Sequence, residues 1–304
     1  MKDVAVILIG LNAKQYVIEC IVSLQNASWR EVTYDIIYID NGSSDGSAAA
    51  VESQFGDGVR VIANPMNLGF CPAANQGARV ANARYCYFIN DDTLAVDDAI
   101  ATTVEYMDEH PDVGTVGSRL VFPDGSEQYS GRKFPNLYSA VFGRRSFLTR
   151  FMPNIKPVSD YLCKNDLAKG DPFDVDWVSA AAQLVRTDEF LSLDGYAEDY
   201  YYWHEAVFCH RMFQTGKRIV LIPASTIIHY EGKGSGARPI KSQRFHITDF
   251  HRGAFRAYCE RHDIVTWSPH AIIVGASLAT RGALLLIIAH MRELFRLAGS
   301  SLKD

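Results

Sequence analysis

Four short apolar runs, each closed by asparagine or aspartate, constrain this chain more than any other feature. Val4–Ile9 leads to Asn12, and Tyr34–Ile39 leads to Asp40 and Asn41. Val59–Ala63 leads to Asn64 and Asn67, and Tyr85–Ile89 leads to Asn90, Asp91 and Asp92. Val4–Ile9 is continuous rather than alternating, as a buried strand is. Helical spacing fills the gaps. Residues 14–25 place Tyr16, Val17, Cys20, Ile21 and Leu24 on one face. Residues 47–55 follow Ser44 or Asp45 as a cap, 73–81 form a small-residue helix, and 96–109 stop at His110-Pro111. Strand–helix alternation at this spacing predicts a mostly parallel, doubly wound α/β sheet. Ligands of such open sheets bind outside the carboxyl ends of the strands. Four separate segments therefore deliver amides and carboxylates to one edge.

The rest of the chain is read more coarsely. Residues 119–170 are less regular, with a turn at Val121–Gly125 and a loop near the site over 147–169. Strands are expected at 174–178, 183–185, 218–222 and 226–229, and helices at 202–215, 240–262 and 269–297. No internal repeat is present. Six cysteines, none in a CxxC pair, fit reduced, buried thiols in a cytosolic protein. Met1-Lys2-Asp3 opens straight into the first strand, with no signal-peptide pattern. The net charge of −5 is uneven: residues 231–304 hold 11 basic and 6 acidic residues, against 19 and 29 before them. A basic tail on an acidic body fits an anionic partner such as lipid headgroups, or else a solvated helix face.

Several residues at the predicted edge carry chemistry. Adjacent Asp91 and Asp92 at a strand end offer hard oxygen ligands to Mg2+ or Mn2+, or else cap the next helix. His229 closes a strand before a Gly/Ser loop that contains Lys233, Ser235 and Arg238. It reads as a further metal ligand beside a diphosphate loop, or as a structural histidine. Glu205 opens a helical stretch beside Trp203 and His204, and is either a general base or an exposed helix carboxylate. The loop Gly42–Ser47 is neither a Walker loop nor GxGxxG.

In order, these pieces resemble the family 2 inverting glycosyltransferases of the GT-A fold, in the rhamnosyltransferase-like branch of cell-surface polysaccharide assembly. The segments that carry the resemblance are 6–12, 39–46, 64–70, 89–93, 176–179 and 202–211, with His229 completing the set. The resemblance spans roughly residues 4–240. It implies a Rossmann-like, mostly parallel sheet with a C-terminal helical extension. Residues 1–118 would form the nucleotide-sugar half and 119–262 the acceptor half of one domain, with an amphipathic region at 263–304. It also implies donor contacts from Asn12, Asp40, Asn67, Gly69, Asp91 and Asp92, and a metal site at Asp92 and His229. Trp177 and His204 would lie on the acceptor side. Relatives carry a Glu-Asp pair where this chain has His204-Glu205, so Glu205 takes the place of the base. The donor implied is dTDP-L-rhamnose, with a UDP-sugar as the alternative, and the acceptor is a polyprenol-linked glycan. No nucleic acid is expected. The competing classes are a nucleotidyltransferase, which would need a basic glycine loop after the first strand, and a catalytically impaired sugar-nucleotide-binding protein.

The last helix bears on location. Residues 271–289 are mostly apolar, but Arg281 at their centre would cost at least ~2.5 kcal/mol in a span. From Arg281 onward, Leu284, Ile287, Ile288, Met291, Leu294 and Phe295 follow helical spacing, which suits a helix lying in the membrane interface. The expectation is a peripheral protein on the cytoplasmic face, with packing on the body or a homodimer as the alternative role of this helix.

Overall fold

The computed structural model describes residues 1–134, 155–232 and 240–300, with side chains described within 1–134, 155–232 and 243–291. The first elements are β1 (Lys2–Gly10), α1 (Lys14–Asn26), β2 (Tyr34–Asp40), α2 (Ser47–Phe55), β3 (Arg60–Ala63), α3 (Phe70–Val80) and β4 (Ala83–Asn90). They continue with β5 (Thr93–Ala95), α4 (Ala99–Glu109), β6 (Val113–Val121), β7 (Gly131–Arg132), α5 (Lys156–Tyr161), α6 (Lys164–Leu167), β8 (Phe173–Asp174) and β9 (Trp177–Val178). The remainder are β10 (Ala182–Arg186), α7 (Thr187–Ser192), α8 (His204–Gln214), β11 (Arg218–His229), α9 (Ile240–His262) and α10 (Pro269–Ser300).

One sheet runs β3-β2-β1-β4-β10-β6-β11-β5, with β8 added on β11, and β7 pairs with β9 in a small separate ribbon. The first four strands are parallel, as the alternation of strands and helices predicts. β10 then enters antiparallel between β4 and β6. β6 and β11 are parallel, and β5 closes the edge antiparallel to β11. β8 is likewise antiparallel to β11, so the sheet is mostly parallel with three reversed strands that a simple alternation of strands and helices does not predict. The stripe expected on α1 is the buried one: Val17, Cys20, Ile21 and Leu24 face the sheet. All six cysteines are buried, and none forms a disulfide among the described residues.

Local readings change, among them the strand expected at 174–178, which is two short strands, β8 paired with β11 and β9 paired with β7. β6 was not expected, because Val113–Val121 carries two glycines, a serine and a threonine among its apolar residues. The two strands expected at 218–222 and 226–229 are one strand, β11, whose pairing with β6 shifts register between Ile222 and Thr226. The helix expected from residue 73 begins at Phe70, with Gly69 in its cap position. The turn after β6 forms as expected, with Gly125 N–H donating to the Phe122 carbonyl at 2.8 Å.

The chain divides into two compact units. One comprises residues 1–199 and 204–237 and holds the sheet; the other comprises 200–203 and 238–304. In the second unit α9 and α10 run antiparallel. Arg244 meets His290 at 3.4 Å, and Arg281 Nη1 meets His251 Nε2 at 3.2 Å. Arg281 also lies 5.9 Å from the Phe250 ring centroid. Gly275 and Gly282 sit where Phe255 and His251 approach, so these glycines serve helix packing. Pro269–Met291 is long and apolar enough to cross a bilayer, by length and composition alone.

Candidate active site

The register of the parallel strands brings the expected edge together. Gly10 pairs with Asp40, Asp40 with Ala63, and Ile9 with Asn90. The loops after four strands, β1 to β4, thus leave the sheet in one row. A Cβ added at Gly10 would stand 2.8 Å from Tyr38 Oη and 3.0 Å from Asp91 Oδ2, so these groups crowd beneath the first loop. Tyr38 donates its hydroxyl to Asp40 Oδ1 at 3.1 Å, and Ser43 N–H donates to Asp40 Oδ2 at 3.2 Å. Burial, with the charges of Asp40 and Asp91 nearby, pushes the Tyr38 hydroxyl well above its ordinary pKa. Burial, with Asp92 beside it, likewise pushes the Asp91 carboxyl well above the carboxylate range.

The asparagines of this edge hold its loops. Asn12, at φ 52°, accepts at Oδ1 from Ser44 N–H at 2.7 Å, while its own N–H donates to Ser43 Oγ at 2.9 Å. Asn41 donates from Nδ2 to Asn67 Oδ1 at 3.0 Å and to the Gly69 carbonyl at 3.1 Å. Asn41 Oδ1 in turn accepts from Leu68 N–H at 3.1 Å. Asn67 Oδ1 also accepts from Gly69 N–H at 2.9 Å. Asn64 and Gln76 exchange two amide bonds of 3.0 and 3.1 Å. Gly42 is confined to glycine twice over: its φ is +85°, and an added Cβ would stand 2.6 Å from the Met66 carbonyl carbon. The cap position of α2 is Gly46 rather than the expected Ser44 or Asp45; Asp45 accepts from Ser47 N–H and also from Lys14 N–H, each at 3.0 Å. It thereby ties the starts of α1 and α2 together.

Asp92 and His229, the pair expected to hold a metal, converge because of β5. Thr93 pairs with His229 in the antiparallel β5–β11 ladder, and Tyr230 N–H donates to the Asp92 carbonyl at 2.9 Å. His229 Nε2 lies 3.2 Å from Asp92 Oδ1 and 3.4 Å from Asn90 Nδ2. Gly232 N–H donates to Asp92 Oδ2 at 3.0 Å. Gln128 fixes the imidazole: its amide nitrogen donates to the His229 carbonyl at 2.5 Å, so its oxygen accepts from His229 Nδ1–H at 2.8 Å. Nε2 then turns a lone pair toward the Asp92 carboxylate. Two acceptors at 3.2 Å repel unless the ring takes a second proton or a cation lies between them. A hard divalent ion fits this arrangement, with Gln128 as the outer partner that metal-bound histidines usually have. Among the described residues no group of three or more His, Cys, Asp or Glu side chains forms a cation cage. A metal here would keep positions open for phosphate oxygens.

Glu205 sits in the first turn of α8, where an anion is favoured by the helix N-terminus. His204 Nε2 approaches Glu205 Oε2 to 3.4 Å. Glu205 Oε2 and His204 Nδ1 are buried without a hydrogen-bond partner. The His204 ring lies 5.0 Å from Phe70 and 5.2 Å from Tyr196. Trp177 is buried in β9, with the Arg132 guanidinium 4.6 Å from its ring centroid and its Nε1–H donating to the Lys133 carbonyl at 3.2 Å. Lys233, Ser235 and Arg238 lie outside the described residues. Sequence reasoning missed Tyr38, Gln76 and Gln128 as site-forming residues. Gln128 could not be assigned because the strand before its hairpin, β6, was itself unread.

The description of glycosyl transferase family 2 matches residues 5–163, more than half of the chain. The chain belongs to glycosyl transferase family 2. This glycosyltransferase is 25% identical over 276 residues to the N-acetylglucosaminyl-diphospho-decaprenol L-rhamnosyltransferase of Mycobacterium tuberculosis, covering 87% of this chain and 86% of that one. It is 26% identical to the rhamnosyltransferase WbbL of Escherichia coli over 56% of this chain and 61% of the relative. It is thus rhamnosyltransferase-like within the family. Solved structures share its GT-A fold. A Pyrobaculum calidifontis mannosyltransferase with GDP-Man and Mn2+ superposes with a TM-score of 0.58 at 15% identity, over 97% of this chain and 83% of that one. GalNAc-T7 with UDP, GalNAc and Mn2+ gives 0.57 at 13% identity, over 80% of this chain but only 47% of the GalNAc-T7 chain.

Proposed function

We propose that the enzyme transfers L-rhamnose from dTDP-L-rhamnose to a lipid-linked glycan acceptor with inversion at C1. The relatives named for rhamnosyl transfer, one of them for a diphospho-decaprenol acceptor, support the donor and acceptor class. The observation that carries the chemistry is the approach of Asp92 and His229 to 3.2 Å, with Gln128 holding the ring nitrogen toward the carboxylate. These two residues would hold Mg2+ or Mn2+, which would neutralise the leaving diphosphate. Structures of the same fold solved with Mn2+ support a divalent ion.

This chain's own residues do the rest. Asp40 and the loops pinned by Asn12, Asn41 and Asn67 would hold the nucleotide and sugar in line. Glu205, whose Oε2 is buried with no hydrogen-bond donor of its own, would take the acceptor hydroxyl proton. The acceptor oxygen then bonds to C1 as the bond from C1 to the phosphate oxygen breaks. Nucleoside diphosphate leaves, and the proton stays on Glu205. A UDP-sugar donor is the alternative within the same chemistry.

The enzyme would work as a peripheral protein on the cytoplasmic membrane face, through α10. Arg281 faces His251 and Phe250 rather than the exposed side of this helix. The exposed side carries Ile272, Ile273, Leu284, Ile287, Ile288 and Met291, an apolar face that suits contact with lipid. A homodimer through the same face is the competing use. The test is transfer from dTDP-L-rhamnose to N-acetylglucosaminyl diphosphoryl polyprenol, with and without EDTA. Metal-dependent product formation is expected. Undiminished turnover in EDTA would remove the metal, and turnover only with UDP-sugars would replace the donor.

A further inference from the structure

His204 and Glu205 open α8, and His204 Nε2 stands 3.4 Å from Glu205 Oε2. The imidazole is buried and gripped on two sides. Phe70, the first residue of α3, lies 5.0 Å from its ring, and Tyr196 meets it edge-on at 5.2 Å. Both grips are anchored. Phe70 follows Gly69, whose N–H and carbonyl are held by Asn67 and Asn41. Tyr196 donates its hydroxyl to Gln183 Oε1 at 2.7 Å, and its backbone N–H and carbonyl each bond the side chain of Asn75 at 2.9 Å. The ring therefore has little freedom to turn away from Glu205.

Opposed forces act on the protons of this ring. A neutral ring with its hydrogen on Nδ1 would bury a donor that has no acceptor and turn a lone pair on the carboxylate, so the neutral form carries its hydrogen on Nε2. A second proton is favoured by the Glu205 charge and opposed twice. Nδ1–H would then be a buried donor without an acceptor, and the N-terminus of α8 disfavours a cation. The other titratable groups around the pair are Tyr196, Cys71, Cys209, Glu198 and Asp199. Burial, with the Glu205 charge nearby, pushes the Tyr196 hydroxyl and the Cys71 thiol well up and the Cys209 thiol up to about 12, so all three stay neutral. Glu198, which accepts from Asn75 Nδ2 at 3.1 Å, and Asp199 add negative charge. The imidazole is left as the neighbour that acquires positive charge on acidification.

We infer that His204 is a positioning residue that decides when Glu205 can act as the base. The neutral ring sets Nε2–H beside Oε2 and leaves the carboxylate its negative charge for the acceptor proton. A protonated ring places a full positive charge 3.4 Å from the same oxygen, which pairs with the carboxylate and weakens it as a base. Transfer therefore requires neutral His204, and the acid side of the rate profile belongs to the pair rather than to Glu205 alone. The inference rests on the reading of Glu205 as the base and adds to it the group that controls its charge.

The experiment records kcat against pH for the full-length wild type and for His204→Gln, which keeps an N–H but carries no charge. Scaled to each protein's own plateau, the acid limb of the variant should lie at lower pH. At about one unit below the wild-type midpoint the variant should keep most of its rate, where the wild type keeps roughly a tenth. A limb at the wild-type pH, whether the plateau holds or falls, would overturn the inference, because packing alone changes the plateau and leaves the limb in place. A second readout needs no turnover. The His204 imidazole is titrated by NMR in the wild type and in Glu205→Gln, and its midpoint should fall in the variant, since the carboxylate that favours the second proton is gone. Equal midpoints would overturn the pair. A wild type that transfers sugar at no pH would overturn the glycosyl-transfer reading instead, and the NMR titration would still decide the pair.

Discussion

The loop edge after β1–β3 and the first turn of α8 use polar side chains in opposite ways. At the loop edge the amides are spent on structure: Asn12, Asn41, Asn64, Asn67 and Gln76 bond to one another or to backbone. At the start of α8, Glu205 Oε2 and His204 Nδ1 are buried with no hydrogen-bond partner. A buried polar atom left unpaired costs on the order of 1–3 kcal/mol, which selection tolerates where the group has other work. The difference teaches that the asparagines of the edge shape its loops; on the proposed function those loops would cradle the donor, and the chemistry would rest on a few groups whose valences are open.

If that division holds, the largest effect belongs to the open group. Glu205→Gln should lower kcat by about 10²–10⁴-fold, the usual contribution of a positioned base, while donor affinity measured by calorimetric titration stays at the wild-type value. Near-normal turnover would move the base elsewhere, and Asp199 would be the next candidate. The outer partner comes second. Gln128→Ala frees His229 Nδ1 and should weaken Mn2+ binding by about 10–100-fold, read by titration of the protein with the metal. An unchanged affinity would make the Gln128 contact purely structural.

A smaller effect is expected from the loop edge. Asn41→Ala strands the Gly69 carbonyl and the Leu68 N–H, and should cost about 1–3 kcal/mol of stability in a denaturant titration. It should raise the donor KM while leaving kcat within a few-fold. A large fall in kcat with stability intact would blur the comparison, because the amide would then be chemical. The smallest effect concerns acid stability away from the site. Arg84 pairs with Asp108, which Tyr85 also bonds at 2.6 Å, and these contacts hold the Asp108 carboxyl below its ordinary pKa. A depressed folded-state pKa gives stability that is full above the unfolded value near 4 and is lost as pH falls through the folded value. Arg84→Ala should therefore move the acid-unfolding midpoint, followed by circular dichroism, to higher pH. The shift should be modest, since both groups are partly exposed.

Much of the N-terminal half was legible in the sequence, because largely apolar strand segments alternate there with segments of helical spacing. α2 agrees at both ends, and β1, β2 and α1 within a residue or two. The antiparallel insertion of β10 was not legible, since strand direction depends on partners distant in sequence. β6 hid behind its small residues, where Gly117 lies close against Val178. At the site, Asp92 and His229 could be paired on resemblance, but nothing local announces Gln128. Its role depends on a hairpin that brings it to His229 across 101 residues. Asn12 and Asn67 were read as donor contacts, yet their side-chain oxygens bond the loop backbone, a role that composition alone does not distinguish from ligand binding.

The central claim is that Asp92 and His229 share one divalent ion that serves the donor diphosphate. Its most direct test is Mn2+ binding, followed by electron paramagnetic resonance in the presence of dTDP, for the wild type, Asp92→Ala, His229→Ala and Glu205→Gln. The account predicts one bound Mn2+ in the wild type and in Glu205→Gln, and loss of that ion in both Asp92→Ala and His229→Ala. Full Mn2+ binding by His229→Ala, or equal binding by all four proteins, would contradict it.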